Sequence, residues 1–306
     1  MRVTLIVNPA AGTAQDRAPI EEAQALLRSA GHVVSLHETA GQGDAERLAA
    51  SAVGSGAELV GAAGGDGTLN EVVNGLAGVE GGLTACALAV LPAGTGNDFA
   101  RTLGLESPEA AIAALGAGQT RAIDLVRLGG RVFLNASAGG FTAETSAQVT
   151  SGMKQAVGAL AYLIGGARAF LEYEPVGVLL ESAERRLETE LQLFAVCNGG
   201  YIGGGHQLAP SARPDDGAFE VCLVRASSTL DFLTLLPRLS TGDHLDDEDV
   251  TYFRSDQVTL TFERAIKVNT DGEVLEVSRC QYVMNPAAVR FVAPATRVAP
   301  SRGVRR

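Results

Sequence analysis

Lysine is almost absent from the sequence: Lys154 and Lys267 are the only two. Neither lies in a GKS or GKT context, which excludes the P-loop of the strand–GxxxxGK[ST]–helix type. Any nucleotide phosphate would have to be held by backbone N–H groups, a metal ion and arginine, with Arg17 and Arg101 the nearest candidates by position. Positive charge as a whole is short, 24 Lys and Arg against 35 Asp and Glu, a net of −11. That balance argues against nonspecific nucleic-acid binding and gives no general attraction to anionic lipid. The four cysteines, Cys86, Cys197, Cys222 and Cys280, form no CxxC pair, and the four histidines show no HxxxH or HExxH spacing. Buried, reduced thiols are therefore expected, and a zinc site is not. Long apolar runs are missing too. Val3–Val7 is too short for the core of a signal peptide, and nothing approaches the ~18 apolar residues of a spanning helix. A soluble, cytoplasmic protein is expected.

What is present is organised around the stretch 57–75, AELVGAAGGDGTLNEVVNG. Leu59–Ala63 reads as a buried parallel strand. Gly64-Gly65-Asp66-Gly67 then permits backbone angles and close approaches that side chains forbid. Thr68 and Glu71 fit a capping box, with Thr68 as the N-cap. A glycine loop at a helix N-terminus suits an anion, although the same pattern is a common tight turn in α/β proteins. Asp66 shifts the balance. An acid inside an anion-binding loop is repelled unless a metal or a polarised hydroxyl mediates, so the loop reads as one for a phosphate with Mg²⁺. The GxGxxG pattern is not matched, and the acid expected about 20 residues further on is missing, which argues against a dinucleotide dehydrogenase.

A chain of 306 residues suggests about two domains. Its first third alternates strands and helices: a strand at 3–7 ending in Asn8-Pro9-Ala10-Ala11-Gly12, a helix at 20–30, a strand at 33–39, a helix at 44–53, then the central stretch. A strand at 86–91 runs into a second glycine loop, PAGTGNDFAR from Pro92, with Asn97 or Asp98 as helix cap. Ser107-Pro108-Glu109 starts a helix that ends near Leu115. This order implies a parallel sheet covered on both faces, with ligands outside the carboxyl ends of its strands. From Asp124 the pattern becomes a hairpin at 126–134 and short strands at 176–180, 187–197, 219–224, 258–262, 265–269, 274–277 and 289–292, interrupted by helices at 142–172 and 229–239. It implies a second, mostly antiparallel domain. The expected division is 1–123, 124–295 and a basic, disordered tail at 296–306.

Two acidic turns in the second part could carry chemistry. Pro210–Gly217 contains Asp216, which with nearby carbonyls could hold a cation or could be an ordinary Asp-Gly turn. Thr270-Asp271-Gly272-Glu273 is a hairpin turn by pattern, from which Asp271 or Glu273 could accept a proton from a hydroxyl. The acidic run Asp243–Asp249 lacks EF-hand spacing and reads as a solvated loop.

GGDGTLNEVVNGL from Gly64, PAGTGNDFAR from Pro92, APSARPDDGAFEV from Ala209 and TDGE at 270–273 together resemble the bacterial diacylglycerol kinase-like lipid kinases, relatives of sphingosine and ceramide kinases. The resemblance spans residues 1 to about 295. It implies an N-terminal three-layer α/β nucleotide-binding domain, a C-terminal antiparallel β-sandwich domain and an active site between them. It implies ATP at Asn8, Pro9, Ala10, Ala11, Gly12, Thr39, Gly64, Gly65, Asp66, Gly67, Thr68, Leu69, Asn70 and Thr95. It implies Mg²⁺ at Asp216 with the carbonyls of Arg213 and Ala218. Glu273 matches the proton acceptor, with Asp271 beside it, and Asp66 the essential acid linked to metal and phosphates. Two positions depart from the family pattern. The first loop lacks the Ser and Lys of NPxSGK, so a phosphate contact is missing or supplied by Arg17. Thr142 stands where many relatives have Asp.

The implied partners are ATP, a lipid alcohol, a transient membrane surface and, as an option, a second copy of the chain; no nucleic acid is implied. The competing readings are a kinase of another alcohol (phosphatidylglycerol, a sphingoid base, a soluble polyol) and a non-catalytic nucleotide- or lipid-binding regulator. The regulator is disfavoured because Asp66, Asp216, Asp271 and Glu273 are all intact. An NAD kinase should lack PAGTGND. Val157, Leu160, Tyr162, Leu163, Ile164 and Phe170 could line an acyl groove, though ordinary core packing explains them more simply.

Overall fold

Four short strands form a parallel sheet in the order β2-β1-β3-β4: β1 (Arg2–Val7), β2 (Val33–Glu38), β3 (Leu59–Gly64) and β4 (Ala87–Pro92). Every residue of β3 and β4 is buried, the signature of a strand covered on both faces. In the computed structural model, which describes residues 1–12, 17–140 and 174–294, helices supply that cover. α1 (Ala18–Ser29) buries Ile20, Ala23 and Leu27. It is followed in the chain by α2 (Asp44–Gly54), α3 (Asp66–Ala77), the short α4 (Gly82–Ala85) and α5 (Asp98–Thr102), and then α6 (Pro108–Ala117). α1 packs with α6, and α2 with α3 and α4, so the three-layer arrangement follows the sequence pattern. Ser107 caps α6 through the N–H of Ala110, 3.3 Å.

The second part is antiparallel. It comprises β5 (Thr120–Leu128), β6 (Arg131–Phe133), β7 (Ala136–Gly140), β8 (Val176–Ser182), β9 (Arg186–Cys197), β10 (Phe219–Arg225), β11 (Val250–Ser255), β12 (Gln257–Thr270) and β13 (Glu273–Val292). β9 and β12 are each paired with β8 along one half and with β7 along the other. Both strands therefore pass through the two layers of a β-sandwich. Its core holds Phe133, Phe194, Phe262 and Tyr282, with Phe194 and Phe262 rings 5.4 Å apart. α7 (Thr229–Thr241) covers the outer face of β9 and β10 with Phe232, Leu235 and Leu239. All four cysteines are free and buried. Among the described residues no helix is long and apolar enough to cross a membrane.

Several expectations change. The separate runs at 274–277 and 289–292 are one 20-residue strand, β13, and those at 258–262 and 265–269 are both part of β12. Asn285 and Pro286 look like strand terminators, but pairing with β5 carries β13 past them with an irregularity between Asn285 and Val289. At its far end β13 pairs in parallel with β4 through Arg290 and Phe291, so one strand belongs to both halves. β7 and β11 are additional. β7 reads Ala-Ser-Ala-Gly-Gly, with little strand propensity, because its neighbours need small residues: a Cβ on Gly139 would lie 2.3 Å from Phe194. The acidic run is tethered rather than free, since Asp247 pairs with Arg238 and Asp249 with Arg225. The helix expected at 142–172, its apolar groove residues and the tail at 296–306 lie outside the described residues.

Candidate active site

Three loops leave the carboxyl ends of β1, β3 and β4 side by side. Asn8 fixes the first. Its Oδ1 accepts from the Ala10 N–H at 3.0 Å, and its Nδ2 donates to Thr68 Oγ1 at 3.1 Å, tying the NPAAG loop to GGDGT. The first loop also touches the third, since a Cβ on Gly12 would meet the Ala93 carbonyl at 3.0 Å. The second and third press backbone on backbone, where a Cβ on Gly94 would come within 2.4 Å of Gly65 Cα. Thr39 follows β2, its N–H donating to the Val7 carbonyl at 2.9 Å. Thr95 and Gly67 are exposed, whereas Leu69 and Asn70 are buried in α3.

The capping box is not formed as the sequence suggested. α3 begins at Asp66 with Gly65 as its N-cap, and no side chain caps it, so its first amides keep their donors. Thr68 serves Asn8 instead. Glu71 turns away and accepts the N–H groups of Gly43 and Ala45 at 3.0 and 3.1 Å, capping α2. The cap of α5 also differs. Asn97 is in the left-handed region at φ 53° with no side-chain capping bond. The carboxylate of Asp66 reaches over and accepts from the N–H of Asp98 (3.1 Å) and of Phe99 (3.0 Å). An acid in a phosphate loop thus has a partner besides any metal: the positive end of the neighbouring helix. Asp98 itself is buried and accepts from the Gly204 N–H at 2.8 Å. Burial pushes its carboxyl upward, Gly204 pulls it back, and the charge of Asp66 adds to the rise.

The TDGE turn comes in from the second half. A Cβ on Gly272 would lie 4.0 Å from Gly67 Cα, so the turn lies close to the GGDGT loop. Asp271, at φ 45°, spends its carboxylate on three backbone donors: Leu134 (2.8 Å), Asn135 (3.1 Å) and Ala136 (2.8 Å). Desolvation outweighs these bonds and, with the charge of Asp66 adding, raises it to about 6. The sequence left Asp271 and Glu273 as alternatives. Here Asp271 anchors the turn to the start of β7, and Glu273 is the open carboxylate, with its side chain 35% exposed. Glu273 pairs with Arg131 at 3.0 Å, and Arg131 also grips Glu46 at 2.8 Å. Arg131 carried no sequence signal, because its meaning comes from partners far away in the chain.

Among the described residues no hydrogen bond or ion pair joins Asp216 to this cluster. It pairs with Arg254 (2.7 Å), which also approaches the buried Glu220 (3.6 Å). Burial pushes Glu220 up to about 7, Arg254 opposing and Asp216 adding. The loop around Asp216 is well fixed. Asp124 Oδ2 accepts from Gly217 N–H and its Oδ1 from Ala287 N–H, both at 2.7 Å, while Asp215 pairs with Arg121 at 2.7 Å. The Asp216 carboxylate and the carbonyls of Arg213 and Ala218 are the hard oxygen donors that Mg²⁺ prefers, so the donor set fits. An ion there would have to displace the Arg254 guanidinium. No cluster of three or more Asp, Glu, His or Cys suited to a metal exists among the described residues. Of the arginines proposed for phosphate, Arg17 is engaged by Glu38 at 2.6 Å, and Arg101 stacks over Tyr201 at 5.6 Å.

The chain matches the family model described as the diacylglycerol kinase catalytic domain over residues 2–128, and a C-terminal NAD kinase β-sandwich-like domain over 136–293. A diacylglycerol kinase of Bacillus subtilis strain 168 is 32% identical over 274 residues, 89% of each chain. A probable lipid kinase of the YegS-like type from Pseudomonas aeruginosa PAO1 is 34% identical over 276 residues, 90% of each. A solved structure from Bacillus anthracis strain Sterne, described as a candidate diacylglycerol kinase, superposes with TM-score 0.80 at 27% identity, covering 97% of this chain and 96% of that one.

Proposed function

The chain belongs to the diacylglycerol kinase-like lipid kinases, and from that premise we propose that it transfers the γ-phosphate of ATP, supplied with Mg²⁺, to a hydroxyl of diacylglycerol. The observation that carries this reading is the closeness of the TDGE turn to the GGDGT loop, at Gly272 and Gly67. It supports a reading in which Glu273, the next residue, serves the phosphate loops of the other half. Phosphoryl transfer needs positioning and charge neutralisation more than covalent help. Amides of the GGDGT and PAGTGND loops would hold the phosphates, with Asn8–Gly12, Thr39 and Thr95 around the nucleotide. As the bond from the γ-phosphorus to the ADP oxygen breaks and a bond to the alcohol oxygen forms, the alcohol proton passes to Glu273. Asp66 would act on the nucleotide's metal and phosphates from the start of α3.

Defined acceptors test the substrate: labelled ATP with diacylglycerol, a sphingoid base, phosphatidylglycerol or glycerol in mixed micelles. The reading expects label in phosphatidic acid, and label only in another acceptor would replace diacylglycerol. Reaching a bilayer-embedded alcohol requires a transient peripheral encounter, without help from the net charge of −11.

The Mg²⁺ would be held by Asp216 with the Arg213 and Ala218 carbonyls, where it would supply fixed positive charge. Asp216→Asn is expected to raise the Mg²⁺ concentration for half-maximal activity by at least about ten-fold. A titration with the wild-type midpoint would remove Asp216 from metal binding.

A further inference from the structure

We propose that Arg131 is a positioning residue for phosphoryl transfer, bridging Glu46 of α2 to Glu273 so that the Glu273 carboxylate is held aimed at the phosphate loops. The inference rests on the reading of Glu273 as proton acceptor. Three observations carry it. First, one guanidinium serves both acids: Nη2 lies 3.0 Å from Glu273 Oε2, and Nη1 lies 3.0 and 2.8 Å from the two oxygens of Glu46. Arginine's planar fork makes such a two-sided clamp, which a lysine cannot reproduce. Second, the backbone next to Arg131 is bolted to the phosphate-loop helix. Asn74 of α3 donates to the Val132 carbonyl (2.9 Å) and accepts from the Val132 N–H (3.0 Å). The clamp is therefore in fixed register with GGDGT. Third, Arg131 stands between two carboxylates from different elements, Glu46 of α2 and Glu273 of β13, which would repel each other without it. Desolvation weakens the Arg131 charge, but the bonds and charges of Glu46 and Glu273 more than restore it.

An ion pair whose side chains are about a third exposed adds little to stability, so a merely structural role would leave turnover alone. The test is kcat and ATP KM of Arg131→Gln and Arg131→Lys in the lipid kinase assay. Arg131→Gln is expected to lower kcat about 10- to 100-fold with the ATP KM within about two-fold. Arg131→Lys should recover only part of kcat. In a Glu273→Gln background, Arg131→Gln should cost almost nothing further. Normal kcat in Arg131→Gln overturns the inference. Should Arg131→Gln fail to fold, Arg131→Lys decides: reduced kcat at unchanged ATP KM supports the clamp, and wild-type kcat refutes it. Wild-type turnover in Glu273→Gln would instead sink the proton-acceptor reading itself, whereas a slow Glu273→Gln beside a normal Arg131→Gln sinks only the role of Arg131.

Discussion

Glu273→Gln is expected to lower kcat by about 10²- to 10⁴-fold while leaving the ATP KM within about two-fold. The substitution keeps the size of the side chain but removes its charge, and with it the ability to take a proton and the ion pair to Arg131. Among the described residues the ion-pair partner of Glu273 is Arg131, so nucleotide binding has little to lose. The alcohol proton leaves late, as the new bond forms, so the loss is confined to the transition state. Steady-state kinetics against ATP at saturating lipid check this. An equal rise in ATP KM would mean that Glu273 shapes the nucleotide site instead.

Asp66 should be the other costly position, and two substitutions separate its roles. Its carboxylate caps α5 through Asp98 and Phe99, and it is proposed to act on the metal-bound phosphates. Asp66→Ala removes both acceptors and should destabilise the fold by about 1–2 kcal/mol. Asp66→Asn keeps one oxygen for the cap and should melt closer to wild type. Both should lose turnover by about 100-fold or more if the charge is what the reaction needs. Thermal unfolding and kcat measured on the same preparations decide the matter: near-normal turnover in Asp66→Asn would reduce Asp66 to a helix cap.

Much of this was legible in the sequence, and the misses have physical causes. β3 and β4 are apolar from end to end, and only a strand buried on both faces reads that way. The glycine loops announced themselves because backbone must touch backbone, as Gly94 does Gly65. Thr68 and Glu71 matched a local capping pattern, yet each found a better partner elsewhere: Asn8 for one, the N-terminus of α2 for the other. Tertiary geometry overrode a local rule. β13 was read as two runs because the polar residues after Val277 and Asn285-Pro286 interrupt the apolar pattern, whereas pairing with β12 and then β5 carries the strand through them. The turn at Asp271 was seen, and the resemblance singled out Glu273 within it, but the tie of Asp271 to the three amides of 134–136 is one that only folding delivers. Arg131 was invisible for the same reason.

The most direct test of a lipid kinase with Glu273 as proton acceptor is transfer of label from γ-labelled ATP into a total lipid extract. Wild type and Glu273→Gln are run side by side, with the product identified by mass spectrometry. The account predicts label in a phosphorylated lipid with wild type, phosphatidic acid foremost, and only a trace with the variant. Label that appears solely in inorganic phosphate or in a soluble acceptor, or equally in both proteins' lipid products, would contradict it.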